Sequence, residues 1–268
     1  MLCAAQAATV AAPARQARVR GRNWLWVAAP AALLGVGVLI INVVPHGAHA
    51  LALLATFGTP VLAATGGIFK GSRRWWLWPP VAVGLWFAAW LASGLVQDAA
   101  GTALIALACL AAASAVAMVV PAWSIQVGLV GLAALDVVLV WGTPTVQNAT
   151  TTLETVPLPH AAGMPLPSLQ QPIFGSALMG WLDLLAPALL GVVVAGRRKL
   201  VAAVIVGIAA YLFGYLVFTD TTNEVAATVP VLAGLAYAAV DARRGRFRHP
   251  LEPARAGGGP RSDRGGGA

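Results

Sequence analysis

Along this chain the apolar residues do not alternate with polar ones; they run on. Roughly eight stretches are apolar on every face: 24–44, 49–69, 75–96, 100–120, 122–142, 175–196, 199–218 and 225–241. Most are near the about 20 residues a helix needs to cross a bilayer core, and the last is short. A run with no polar face predicts a helix surrounded by lipid or by other helices. Pro121 alone divides the fourth run from the fifth. Trp24, Trp26, Trp75, Trp76, Trp78, Trp123 and Trp141 stand near run ends, as an interfacial belt would place them. The predicted fold class is all-α, a polytopic transmembrane helical bundle of about eight spans.

Composition agrees. Of 268 residues, 59% are hydrophobic and 10% charged, with a mean hydropathy of +0.79. A soluble domain usually carries about 25% charged residues. The net charge of +8 is therefore no sign of nucleic-acid binding, because the basic residues cluster between the runs and in the tails. Arg15 to Arg22 precede the first run, and Lys70, Arg73 and Arg74 follow the second. Arg197, Arg198 and Lys199 follow the sixth, and Arg243, Arg244, Arg246 and Arg248 follow the eighth. All four clusters share one side if both termini are cytoplasmic. The other side receives Asp98, the long 143–174 loop with Glu154, and the Asp220/Glu224 turn.

The expected organisation follows. Residues 1–22 are a basic cytoplasmic tail and 23–121 carry the N-terminal transmembrane helices. Residues 122–241 carry a second helical group with the exoplasmic loop 143–174, and 242–268 are a disordered basic tail. The expected location is the cell membrane. Scarce lysine and abundant Ala, Gly and Arg suggest a bacterial inner membrane. Cys3 and Cys109 are not expected to pair, since one lies in a tail and the other in an apolar run. No cofactor or metal is expected: His46, His160 and His249 lie outside the runs, His49 stands only at the edge of one, and no H-E-x-x-H motif occurs. Ser93 has no histidine within a run to serve as its base.

Two acids stand apart. Asp136, in GLAALDVVLVW, and Asp183, in SALMGWLDLLAPALLG, lie well inside runs, and no Lys or Arg lies deep enough to pair with them. A charge at such depth costs about 2.5–3.5 kcal/mol on insertion scales. Asp136 precedes the outer end of its run by six residues, and Asp183 follows the outer start of its run by eight. Those spacings predict depths of about 9 and 12 Å, nearly one level on antiparallel helices. Close carboxylates do not both ionise, so one can act as base and the other as acid. The same pair can instead carry protons or bind a cation in a transporter. Depth alone does not choose.

The motifs around these acids resemble a known family. DVVLVWGT, residues 136–143, resembles the first catalytic helix of signal peptide peptidases, with Asp136, Val140, Trp141, Gly142 and Thr143 in the family's places. GWLDLLAP, residues 180–187, resembles the GxGD motif with a Pro four residues on, through Gly180, Asp183 and Pro187. Ala210, Tyr211 and Gly214 resemble A-Y-x-x-G, and Pro230-Val231-Leu232 resembles PAL. Leu135, Leu182 and Val231 stand where the family keeps Tyr, Gly and Ala.

The resemblance implies the presenilin-like fold in the signal-peptide-peptidase orientation. It implies an intramembrane aspartic endopeptidase that cuts transmembrane or signal-peptide segments. Asp136 and Asp183 would be catalytic. Gly180, Leu182, Pro230, Val231 and Leu232 would bind substrate, with Pro230 interrupting its helix about 8 Å deep. The alternative is a non-proteolytic multi-pass membrane protein, either a proton-coupled transporter or an inactive relative.

Overall fold

The computed structural model describes residues 2–12, 17, 32, 36, 39–41, 43–70, 75–142, 148, 151–153, 155–161, 163–171, 173–174, 177–194, 197–220 and 228–247. They are mostly helical. The order is α1 (Leu2–Ala11), α2 (Gly47–Lys70), a 3-10 turn (Trp75–Leu77), α3 (Trp78–Leu91), α4 (Leu95–Val119) and α5 (Ala122–Gly142). Two small hairpins follow, β1 (His160–Ala161) with β2 (Met164–Pro165), then β3 (Ile173–Phe174) with β4 (Ala177–Leu178). The chain continues with α6 (Trp181–Val193), α7 (Arg197–Asp220) and α8 (Val229–Phe247).

Among the described residues, four helices are long and apolar enough to cross a membrane: Gly47–Phe69, Leu95–Val119, Ala122–Val140 and Arg198–Leu216. About two thirds of the expected run 24–44 falls outside the described residues, as do all of 248–268. Three expectations are corrected. Within the supposed tail 1–22, Leu2–Ala11 is a packed helix. Run 175–196 is not one long helix, because the β3–β4 hairpin takes up its start and α6 begins only at Trp181. Phe174 pairs with Ala177 and Ile173 with Leu178, antiparallel. In the last run, α8 starts at Val229, which puts Pro230 in the first turn, where its missing N–H costs nothing. Pro230 therefore does not interrupt the helix.

Two helices organise the core. α4 packs against α2, α3, α6 and β3. It buries Ala100, Gly101, Ala108, Ala111, Ala113 and Ala117, small residues that let backbones approach. α6 is enclosed by α1, α4, α5 and α8. Nearly every residue from Leu184 to Val192 is buried, so its uniform apolarity reflects helices on all sides.

At 13 residues, α6 is about 20 Å long, shorter than the about 30 Å bilayer core. α4 gives the depth at which it starts. The Thr102 hydroxyl donates to the Ile173 carbonyl (3.0 Å). The Cys109 thiol points at the Trp181 carbonyl (3.7 Å). Seven residues of helix separate those two contacts, about 10 Å. The chain thus descends along α4 from β3 to the start of α6, which lies beside the middle of the longest helix. Irregular backbone at such depth is tolerated where protein surrounds it.

The direction of each helix follows from its contacts. Gln6 of α1 meets Asp183, and Thr9 and Val10 meet Gly191, so α1 runs parallel to α6. Ala7 and Cys3 meet Gly207, and Lys199 reaches the Ala12 carbonyl, so α7 runs the other way. Arg198 pairs with Asp241 at 2.5 Å and Val206 meets Gly234, which returns α8 to the direction of α6. Lys199, Arg198 and Asp241 therefore mark one end of the bundle.

Mid-helix prolines have a consistent surrounding. Pro60 in α2 has no N–H to give the Thr56 carbonyl four residues back. Trp86 of α3 supplies that bond instead, its Nε1–H donating to the Thr56 carbonyl at 3.2 Å. A buried carbonyl left unmet at such depth would be costly.

Candidate active site

Asp136 lies near the C-terminal end of α5, six residues before Gly142. Its Oδ2 accepts two hydrogen bonds from Thr228, one from the hydroxyl (2.6 Å) and one from the backbone N–H (3.3 Å). Thr228 is buried and immediately precedes α8. The first amides of a helix have no partner within it, and a carboxylate is a favoured acceptor there. Asp136 therefore caps α8 from a neighbouring helix.

Asp183 sits in the first turn of α6, not eight residues into a span as the run length suggests. Its Oδ2 accepts the Gly180 N–H at 2.7 Å, which makes it the return half of a capping box. A Cβ on Gly180 would meet that same oxygen at 3.2 Å, so glycine leaves the carboxylate room. Asp183 is also within electrostatic reach of the Cys109 thiol, midway along α4.

The contacts put the acids at one level. A Cβ on Gly234 of α8 would lie 2.7 Å from Leu190 of α6. Counting back along these parallel helices, Thr228 is six residues away and Asp183 seven, about 9 and 10 Å. Asp136 is bonded to Thr228 and so shares that level, towards the end opposite Lys199. α5 packs on α6, and α8 packs on both.

The other expected residues distribute as follows. Pro230 is buried and Val231 is 1% exposed, while Leu232 is half-buried. All three belong to the helix start tied to Asp136. Leu182 is half-buried against the core beside Trp181. Of the matched motif residues, Ala210 is buried and Tyr211 exposed, and Thr143 lies outside the described residues. Among the described residues, no three His, Cys, Asp or Glu gather as a metal site would require.

Thr228 and Gln6 were not singled out from the sequence. Thr228 had a signal, a Thr two residues before a Pro at the start of an apolar run. Gln6, fully buried, had only its polarity within the small apolar stretch LCAAQAATVA.

The link between Thr228 and Asp136 makes a prediction. Thr228→Val, which removes the hydroxyl and keeps the shape, is expected to lower stability by about 1 kcal/mol. Thr228→Ser keeps the hydroxyl bond and should cost only its buried methyl, about 0.8 kcal/mol. Denaturant unfolding in detergent checks both.

Compared with known protein families, with curated proteins and with solved structures, the chain matches none.

Proposed function

We propose that this chain is an intramembrane aspartic endopeptidase of the signal peptide peptidase and presenilin type, with about eight spans and its basic clusters on the cytoplasmic side. Its substrates are transmembrane or signal-peptide segments, which it cuts with an Asp136/Asp183 dyad. One observation carries the reading. Both acids lie at one level, and each is held at a helix start, Asp183 on α6 and Asp136 on α8.

In this reading one carboxylate takes a proton from water while the other donates a hydrogen bond to the scissile carbonyl. Protonation of the departing amine completes the hydrolysis. A helical substrate hides its carbonyls, so it has to unwind locally. Extended backbone suited to pair with an unwound strand lies in β3–β4, directly ahead of Asp183. That role passes from Pro230, which was expected to provide it, to the hairpin.

The test uses purified full-length chain in detergent and a signal-peptide-like helical peptide. The wild type is expected to cut it, and Asp136→Ala and Asp183→Ala to leave it intact. If all three behave alike, the protease reading falls and the transporter or inactive-relative alternative takes its place.

A further inference from the structure

We infer that Gln6 is a positioning residue for Asp183, replacing from α1 the hydrogen bond that Pro187 removes from α6. The functional part of this inference rests on the dyad reading above. Pro187 stands inside α6, four residues after Asp183. In a regular helix the residue at 187 would donate its N–H to the Asp183 carbonyl. Proline has no N–H, so that carbonyl loses its partner within the helix. The Gln6 side chain supplies one: its Nε2–H donates to the Asp183 carbonyl at 3.0 Å.

The placement is built, not incidental. Gln6 is 0% exposed, so its Nε2–H reaches the Asp183 carbonyl from within the packed helices and not from solvent. One turn on, the Thr9 hydroxyl donates to the Gln6 carbonyl at 2.8 Å. Gly191 lets the α1 backbone approach α6 closely, since a Cβ there would meet the Val10 carbonyl oxygen at 2.8 Å. The same device occurs independently at Pro60, where Trp86 meets the Thr56 carbonyl. Among the described residues, Pro60 and Pro187 thus each have the freed carbonyl met by a side chain from a neighbouring helix. At Pro187 the carbonyl belongs to the candidate catalytic acid itself, so the amide fixes the turn that aims its carboxylate.

A cycle of four full-length proteins tests this: wild type, Gln6→Leu, Pro187→Ala and the double variant. Pro187→Ala returns an N–H to α6 and should make Gln6 dispensable. Two readouts are taken in detergent, the kcat and KM for cleavage of a signal-peptide-like helical peptide, and the thermal unfolding midpoint. In the wild-type background, Gln6→Leu is expected to lower kcat about tenfold, with KM changed less than about twofold. In the Pro187→Ala background the same change should cost less than about twofold in kcat. The unfolding midpoints should show the same dependence on background. Equal losses in both backgrounds would overturn the inference and leave the protease reading standing. A wild type that cuts nothing ends the positioning role together with the reading it rests on, and the unfolding cycle then still decides whether Gln6 substitutes for the proline's missing bond.

Discussion

Asp183→Asn is expected to fold as the wild type does and to lose about a thousandfold in cleavage rate, mid-range for a general acid–base group. The comparison with Asp183→Ala gives the result its meaning. Asp183 performs a structural task whatever its chemistry, since its Oδ2 accepts the Gly180 N–H at the start of α6. Alanine removes that acceptor and costs about 1 kcal/mol as a lost cap. Asparagine keeps an amide oxygen in the same place, so the cap survives while proton exchange does not. Asp136 obeys the same logic, because asparagine there still accepts both Thr228 bonds. The measurement pairs cleavage rate with unfolding midpoint for each acid, as Ala and as Asn. Asn variants that are as stable as the wild type but inactive support the dyad. Asn variants that cut at the wild-type rate would reduce both acids to helix caps and sink the protease reading.

The sequence was most informative where length alone decides. The runs behind α2, α4, α5 and α7 are long and carry no charge in their interiors except Asp136, and each became a helix fit to cross a membrane. It was least informative about which face of a helix is buried. In a soluble helix polarity marks the outside; in lipid the outside is as apolar as the core. On α7, size replaces polarity. Ala202, Ala203, Val206 and Ala210 are buried, while Leu200, Val204, Ile208, Leu212 and Leu216 lie on the bundle surface.

The same loss of contrast hid α1, whose ten residues are too short to read as a span. It also hid β3–β4, whose two-residue strands are as apolar as the helix that follows. The level of the two acids was legible, although for Asp183 the reasoning needed correction. Its depth comes from where α6 starts along α4, since it stands only in the first turn of α6. The cap that Asp136 gives α8 at Thr228 and the amide from Gln6 are long-range contacts, and spacing along one chain carries no trace of them.

Gly191→Val is expected to separate α1 from α6 and to be the most destabilising single change proposed. A Cβ at this position would meet the Val10 carbonyl oxygen at 2.8 Å, the Thr9 carbonyl oxygen at 3.1 Å and the Val10 Cα at 3.3 Å. All three are backbone atoms, so no side chain can turn aside to make room. α1 would have to shift as a body, and with it go the Gln6 bond to Asp183 and the Ala17 N–H bond to the Val192 carbonyl (2.9 Å). The cost should reach about 3 kcal/mol, the upper end for overpacking. Gly84→Ala in α3 supplies the opposite sign, because nothing lies within 4 Å of a Cβ built there. Relief of glycine's chain entropy should stabilise that variant by up to about 1 kcal/mol. Denaturant unfolding of both in detergent checks the pair. A Gly191→Val protein as stable as the wild type would mean that α1 does not seat against α6 through this glycine, and the support it gives Asp183 would fall with it.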